Sequence, residues 1–345
     1  MVLLEHTFAK LYNKLENHHN HNHHQNQTNH DHYNQPEKFL ASLHAFRSEV
    51  SRFIGHLSLD VLKPGGGPSS SEILFLSLTW IEKCFGILPF TNKAFANLLV
   101  DIDYPLSTWE VGSIEGYLSY SLCLLEIFNS ISSSLSHLAQ SRLSLVHRLS
   151  VLEDSSLPSS MATKHLKPIE PCCSNFNVNF ANELSKESDQ GRIFSGKEWV
   201  VSEALKEMKS LGFWVCGILL SGLCSNNKPY MELREILGGF DGSLVVTLDS
   251  KINEQIMEKI PVLKEVKEIN DSVAQVLLDD SDVAAKEMQT KLQVLENLCD
   301  VVRTMVDDMF NKTYSFIGSF KFCNVFKVYD LNLTSNVNTK DFIAL

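Results

Sequence analysis

The amino-acid sequence predicts an all-α protein, an elongated antiparallel bundle of long helices with a low-complexity N-terminal tract and flexible connections. Three observations predict it. Leu118, Leu122, Leu125, Phe128, Ile131, Leu135 and Leu138 recur at steps of three and four, and no proline or glycine interrupts residues 117–157. Met288, Leu292, Leu295, Cys299, Val302, Met305 and Met309 form a second seam of the same rhythm, far along the chain. Between the two, residues 197–224 keep a helical period and end in an almost wholly apolar run, Leu211–Cys224. The two seams are expected to lie side by side at the centre of the bundle.

The elements follow in chain order. Leu4, Phe8, Leu11 and Leu15 share one face of a short amphipathic helix over residues 1–16. That face docks on the protein's own body or, alternatively, on a membrane surface or partner. The segment has no basic n-region and no small-residue cleavage site, so it is not a secretory signal; Glu5 and Glu16, with no arginine before Arg47, argue against a plastid transit peptide. The expected location is the cytoplasm, with peripheral membrane contact as the alternative.

Residues 17–36 are a His/Asn-rich tract holding seven of the 13 histidines, too polar to build a core. Nothing there fixes ligand geometry, so no metal site is expected. A helical bundle is predicted over residues 37–320, and a C-terminal tail over 321–345. The first bundle helix spans about 36–60, with Phe39, Leu40, Leu43, Phe46, Val50 and Ile54 on its stripe. Two prolines around three glycines then break the chain, giving a connection near 62–71. Residues 71–100 return to helix, and Pro89 should kink or divide it.

A turn at Asp101–Pro105 precedes Ser107-Thr-Trp-Glu110, which has the spacing of a capping box and marks a helix start. The serines at 130, 132, 133, 134 and 136 weaken intrinsic helix preference, so packing must hold the long helix that follows. Apolar rhythm fades over 154–195, a second connection. The fourteen apolar residues of Leu211–Cys224 fall short of the roughly 20 needed to cross a bilayer. They read as a buried core helix or, alternatively, as a shallow membrane contact. Pro261 should part a helix over 248–260 from the second seam, whose acidic flanks (Asp279, Asp280, Asp282, Asp307, Asp308) read as a solvated face or a dock for a basic partner.

The balance of charge and motif excludes several functions. With 30 Lys+Arg against 41 Asp+Glu, a formal net charge of −11 argues against a protein that grips phosphate backbones. The eight cysteines (84, 123, 172, 173, 216, 224, 299, 323) contain no CxxC pair and sit mostly in apolar stretches, as small buried hydrophobes do. There is no nucleophile elbow, Walker loop, Rossmann fingerprint, HExxH or kinase signature. His44, His56, His137, His147 and His165 are isolated. No catalytic, cofactor-binding or metal-binding residue is assigned, no cofactor or small-molecule substrate is implied, and the protein reads as non-enzymatic.

Three segments together carry a family likeness: Ser77-Leu-Thr-Trp-Ile-Glu-Lys83, Tyr104-Pro-Leu-Ser-Thr-Trp-Glu110, and the run from Tyr117 to Leu138 with Leu125-Glu-Ile-Phe-Asn129 at its heart. The chain resembles the plant BYPASS family, related to the Roh-type proteins, across about Phe39–Phe320. The residues that carry the resemblance are Ser77, Trp80, Pro105, Ser107, Trp109, Glu110, Leu125, Glu126 and Asn129. The turn here reads Tyr-Pro-Leu-Ser where that family has Leu-Pro-Val-Ser. The resemblance implies a non-enzymatic regulator of root and shoot development, restraining a mobile, carotenoid-related growth-arrest signal from the root through protein–protein contact. The Roh-type link implies the alternative, a peripheral membrane adaptor partnered with exocyst-type trafficking components.

Overall fold

The computed structural model describes residues 35–62, 76–105, 108–153, 166–171, 196–240, 242–258, 260–278 and 282–333. The amphipathic helix predicted over 1–16, the His/Asn-rich tract, the connection after Leu62 and the end of the tail lie outside the described residues. Among the described residues all regular structure is helical. The helices are α1 (Gln35–Leu62), α2 (Leu78–Phe85), α3 (Ile87–Asp101), α4 (Val111–Glu153), α5 (Gly196–Cys224), α6 (Lys228–Ile236), α7 (Val246–Glu258), α8 (Lys264–Leu278) and α9 (Asp282–Leu333).

Helix α1 buries Leu43, Phe46, Val50, Ile54 and Leu57 at steps of three and four. Leu40, predicted on that stripe, is 56% exposed, because it lies at the stripe's edge, about 80° round the helix from its centre. The predicted division at Pro89 falls three residues earlier, at Gly86. The Pro89 ring would collide with the carbonyl of residue 85 if the helix ran through, so α2 ends at Phe85. Pro89 then occupies the first turn of α3, where a missing N–H leaves nothing unpaired.

Helix α4, 43 residues long, keeps the predicted seam only from Phe128 on. Phe128, Ile131, Leu135 and Leu138 are buried, whereas Leu122 is exposed and Leu118 and Leu125 are half-buried. Tyr120, Cys123, Leu124 and Ile127 are inside instead. Counting leucines misplaced the face. At this level α4 is turned toward α5, where a glycine makes room for the Tyr120 ring. The serine-rich stretch stays helical because hydroxyls bond back one turn: Ser130 to Glu126, Ser134 to Ser130 and Ser136 to Ser132.

The second seam is inside over its whole length, from Met288 to Met309, with Met305 partly covered and Val306 buried beside it. Among the described residues, helices α4 and α9 are the most extensively packed pair. Arg142 reaches from α4 to Glu296 of α9 at 2.5 Å. The break at Pro261 is present, but a further helix, α8, stands between it and the seam helix. Lys291 of α9 donates to the Ser272 hydroxyl of α8, closing these two helices as a hairpin.

The centre of the bundle is α5, not the seam pair. Every residue from Leu211 to Cys224 is buried. The helix packs on α4, α6, α1, α3 and α2. A helix that is apolar on all sides has no face to offer water, so the fold closes around it. It is long and apolar enough to cross a membrane by composition, and 89% of that window is covered by the rest of the protein. Three glycines admit the neighbours. A Cβ on Gly212 would stand 2.8 Å from the Tyr120 hydroxyl, one on Gly217 3.2 Å from the Tyr230 Cα, and one on Gly222 2.9 Å from Leu263 Cδ2. Their spacing of five turns each glycine about 140° from the last, so each opens a different side.

Helices α4 and α5 run in the same direction. Tyr104, just before α4, meets Glu198 in the first turn of α5; Tyr120 meets Phe213 halfway; and Leu138 and Leu223 share one groove further on. Residues 154–195 return the chain to the starting end between them.

Candidate functional site

The residues carrying the family likeness occupy two interior clusters and an outer face. Ser77 caps α2, its hydroxyl accepting the Trp80 N–H at 3.2 Å. The next amide, of Leu78, donates to both carboxylate oxygens of Glu265, at 3.1 and 3.2 Å. Trp80 is buried edge-on to Trp214 of α5 with centroids 6.5 Å apart. The Ser-x-x-Trp spacing thus couples a helix cap to an aromatic anchor on the central helix.

The second cluster is the turn before α4. Asp103 takes a left-handed φ of 50°, and the Pro105 carbonyl accepts bonds from the Thr108 amide and hydroxyl. This brings Trp109 inside, where its ring meets Phe95 and Tyr117 edge-on at about 6 Å and its Nε1 points at the Tyr104 carbonyl. Ser107, and with it the capping-box geometry, lies outside the described residues, although α4 begins at Val111. Glu110, Glu126 and Asn129 are exposed and Leu125 is half-buried. The structure therefore brings Ser77, Trp80 and Trp109 into the core and leaves Glu110, Glu126 and Asn129 at the surface.

Sequence reasoning missed the buried carboxylates. The Tyr104 hydroxyl donates to Glu198 at 2.5 Å, and burial together with that acceptor raises the phenol's pKa. Lys197 donates to the Asp103 carbonyl and lies 5.9 Å from the centroids of both Phe39 and Tyr104. Arg47 of α1 bridges Glu203 and Glu207 of α5, at 3.0 and 3.1 Å, while the second Glu207 oxygen accepts the Leu244 amide. Burial pushes Glu207 above the usual carboxylate range; for Glu203, the pull of Lys206 and Arg47 outweighs burial and holds it below. Asp249 accepts from the Tyr230 hydroxyl and sits 3.5 Å from Arg234, joining α6 to α7. The signal available in sequence was an acid standing on an otherwise apolar stripe, which needs a partner if the stripe is buried.

Each of these groups fastens one element to another through bonds its charge requires. Burial raises the Cys123 and Cys299 thiols to about 11 and about 12, far from a reactive thiolate at neutral pH. Among the described residues no three metal-ligating side chains converge. The arrangement can hold surfaces in register.

One surface is itself occupied. Residues Leu166–Pro171 lie in a groove formed by α4, the end of α5 and α8. Leu166 and Ile169 are buried, and the side chains between and after them face outward. Asn270 of α8 clamps the backbone of Ile169, accepting its N–H at 2.7 Å and donating to its carbonyl at 3.1 Å.

Comparison with known proteins gives relatives among plants. The chain is 32% identical over 196 residues to "UPF0496 protein 4" of Oryza sativa subsp. japonica, and the subsp. indica protein of the same name matches equally; each match takes in 52% of this chain. This chain spans about two fifths, 41%, of the length of those rice relatives. It is 23% identical over 255 residues to "Protein BPS1, chloroplastic" of Arabidopsis thaliana, covering 68% of this chain and 72% of that one. No family model matches, and no solved structure is similar.

Proposed function

We propose that the chain, which is similar to UPF0496 protein 4 of Oryza sativa and to Protein BPS1 of Arabidopsis thaliana, is a non-enzymatic regulator of root and shoot development that acts by protein–protein contact. In this reading it restrains a mobile, carotenoid-related signal that leaves the root and arrests shoot growth. The observation that carries it is the BYPASS-type motif set, together with a match to the Arabidopsis relative over 68% of the chain. The architecture is in keeping with it: Trp80 and Trp109 serve as packing anchors, and the buried acids tie helices together (above). The test is genetic. Removing the gene and its redundant relatives should release the signal, so that mutant roots arrest wild-type shoots grafted onto them. Normal shoots on such grafts sink the proposal.

The trafficking-adaptor alternative needs an element free to meet a membrane. Helix α5 is enclosed by its neighbours, so that reading rests on residues 1–16. Fractionation of the full chain and of a chain lacking those residues separates the two: the regulator reading expects a soluble pool in both. We place the protein in the cytoplasm, whereas the Arabidopsis relative is named chloroplastic. Imaging of a C-terminal fluorescent fusion decides between the compartments.

A further inference from the structure

The segment Leu166-Lys-Pro-Ile-Glu-Pro171 is held as a bound peptide is held. Prolines at 168 and 171 fix their own φ and push Lys167 and Glu170 into extended backbone. Two apolar anchors three residues apart enter the groove, and the four other side chains are exposed. Asn270 reads the backbone of the second anchor with both ends of its amide, as a sheet edge would read an added strand. This is recognition by two anchors and one backbone clamp, and it asks little of the residues between.

The segment is not needed to close the chain. The return from the end of α4 to the start of α5 covers about 65 Å of helix, which about 19 extended residues can span. Residues 154–195 supply about twice that number. Nor is the groove filled. A cavity of about 20 Å³ remains beside Ile169, lined by Leu138, Leu223, Leu263 and Val266 and by the polar Ser134, His137 and Ser225, space for about one water molecule. A tethered segment acts at an effective concentration in the millimolar range. The same segment from a second copy gains nothing over it, but a segment with a better-fitting second anchor does.

We propose that the groove between α4, α5 and α8 is a docking site for an extended segment of a partner protein, which carries two aliphatic anchors three residues apart with a longer side chain, such as methionine, at the second. Leu166–Pro171 is its intramolecular competitor, displaced when the partner binds. This rests on the protein-contact reading above and gives it a surface. Its test is made in solution, so a failure here leaves the genetic result standing, and the reverse also holds.

The experiment uses labelled peptides of residues 163–171, with isoleucine or methionine at the position of Ile169, and the full chain. Fluorescence anisotropy is read on the wild type, on Leu166→Asp/Ile169→Asp, which vacates the groove, and on that variant with Asn270→Ala. The vacated chain should bind either peptide at least about tenfold tighter than the wild type does, the methionine peptide tighter of the two. Asn270→Ala should remove that gain. A vacated chain that keeps its helical signal and melting transition but binds no tighter overturns the proposal, since the segment is then only a strut. If the double variant does not fold, amide exchange at Ile169 in the wild type replaces it: the methionine peptide should speed exchange, and unchanged protection at saturating peptide overturns the proposal. A wild-type dimer that the peptide dissociates would assign the groove to a second copy and overturn the partner reading.

Discussion

Helix α5 and the α4–α9 pair are both long, apolar and buried, yet they are held in opposite ways. Along Leu211–Cys224 of α5 every side is covered, and three close approaches depend on a glycine: Tyr120 at Gly212, Tyr230 at Gly217, Leu263 at Gly222. Along α9, and along α4 from Phe128 on, a single stripe is buried, while outer residues such as His137, His147, Asp307 and Asp308 stay in water. A helix with a free face can roll or shift outward when its core side is altered. A caged helix has nowhere to go. The comparison teaches that burial alone does not set tolerance; the number of covered faces does.

The sharpest way to break that contrast is Gly217→Val. The new Cβ meets backbone, the Tyr230 Cα at 3.2 Å. Helix α6 cannot step back, because the Tyr230 amide is bonded to the Ser221 hydroxyl and its own hydroxyl to Asp249. Loss of the cooperative thermal transition is expected, beyond the 1–3 kcal/mol typical of overpacking. Gly212→Ala should stay within about 1–3 kcal/mol, since there the intruding methyl meets the far end of a side chain, the Tyr120 ring. Circular-dichroism melts of the two variants check this. A Gly217→Val protein as stable as Gly212→Ala would show that the cage is loose.

On the single-stripe side, Leu135→Ala should cost about 3 kcal/mol by urea denaturation, the usual loss for a fully buried leucine, with the fold retained. Trp109→Ala should cost a similar ~3 kcal/mol, because the ring is buried against Phe95 and Tyr117. An undiminished midpoint for Trp109→Ala would remove the turn from the set of packing anchors. A smaller loss, about 1.5–2 kcal/mol, is expected for Arg142→Ala. The arginine is buried, but its partner Glu296 keeps about a third of its side chain in water and can rehydrate when left alone. A loss as large as that of Leu135→Ala would mean that the pair, and not the stripe, holds α4 to α9.

The same contrast explains what the sequence disclosed. The seam of α9 is legible residue by residue, because one buried stripe against one solvated face leaves a clean period (Met288, Leu292, Leu295, Cys299, Val302). Helix α5 is legible as buried but not as central: a run that is apolar all round carries no phase from which to read a neighbour, and the meaning of its glycines appears only when three partners are in place. The first half of α4 misled because it serves two neighbours, so leucines at 118, 122 and 125 outlined a stripe that Tyr120, Leu124 and Ile127 in fact occupy. At the motif residues, the Ser77 cap and the two tryptophans follow from local chemistry. Glu265, 187 residues from the amide it accepts, does not. The docked segment was invisible for the same reason, since the Asn270 clamp joins residues 101 apart through a polar side chain that periodicity ignores.

Glu265 gives the finest test of how the buried acids act. Burial holds its carboxyl above the usual range, against the pull of its own and the Leu78 backbone amides. A carboxyl whose proton is held more tightly in the folded chain contributes stability that is fully present below its unfolded pKa, about 4.3, and is lost as pH rises through the raised folded value. Glu265→Gln keeps an acceptor for the Leu78 amide and cannot ionise, so it escapes that loss. Relative to the wild type, the variant should therefore gain stability as the pH is raised from about 4 toward neutral, a change read as the difference between urea midpoints at the two ends. If the two proteins follow parallel curves, the ionised carboxylate is as well satisfied as a neutral amide. The acid at α8 would then be a cap matched to its charge, and the link between α2 and α8 would hold equally well at either pH.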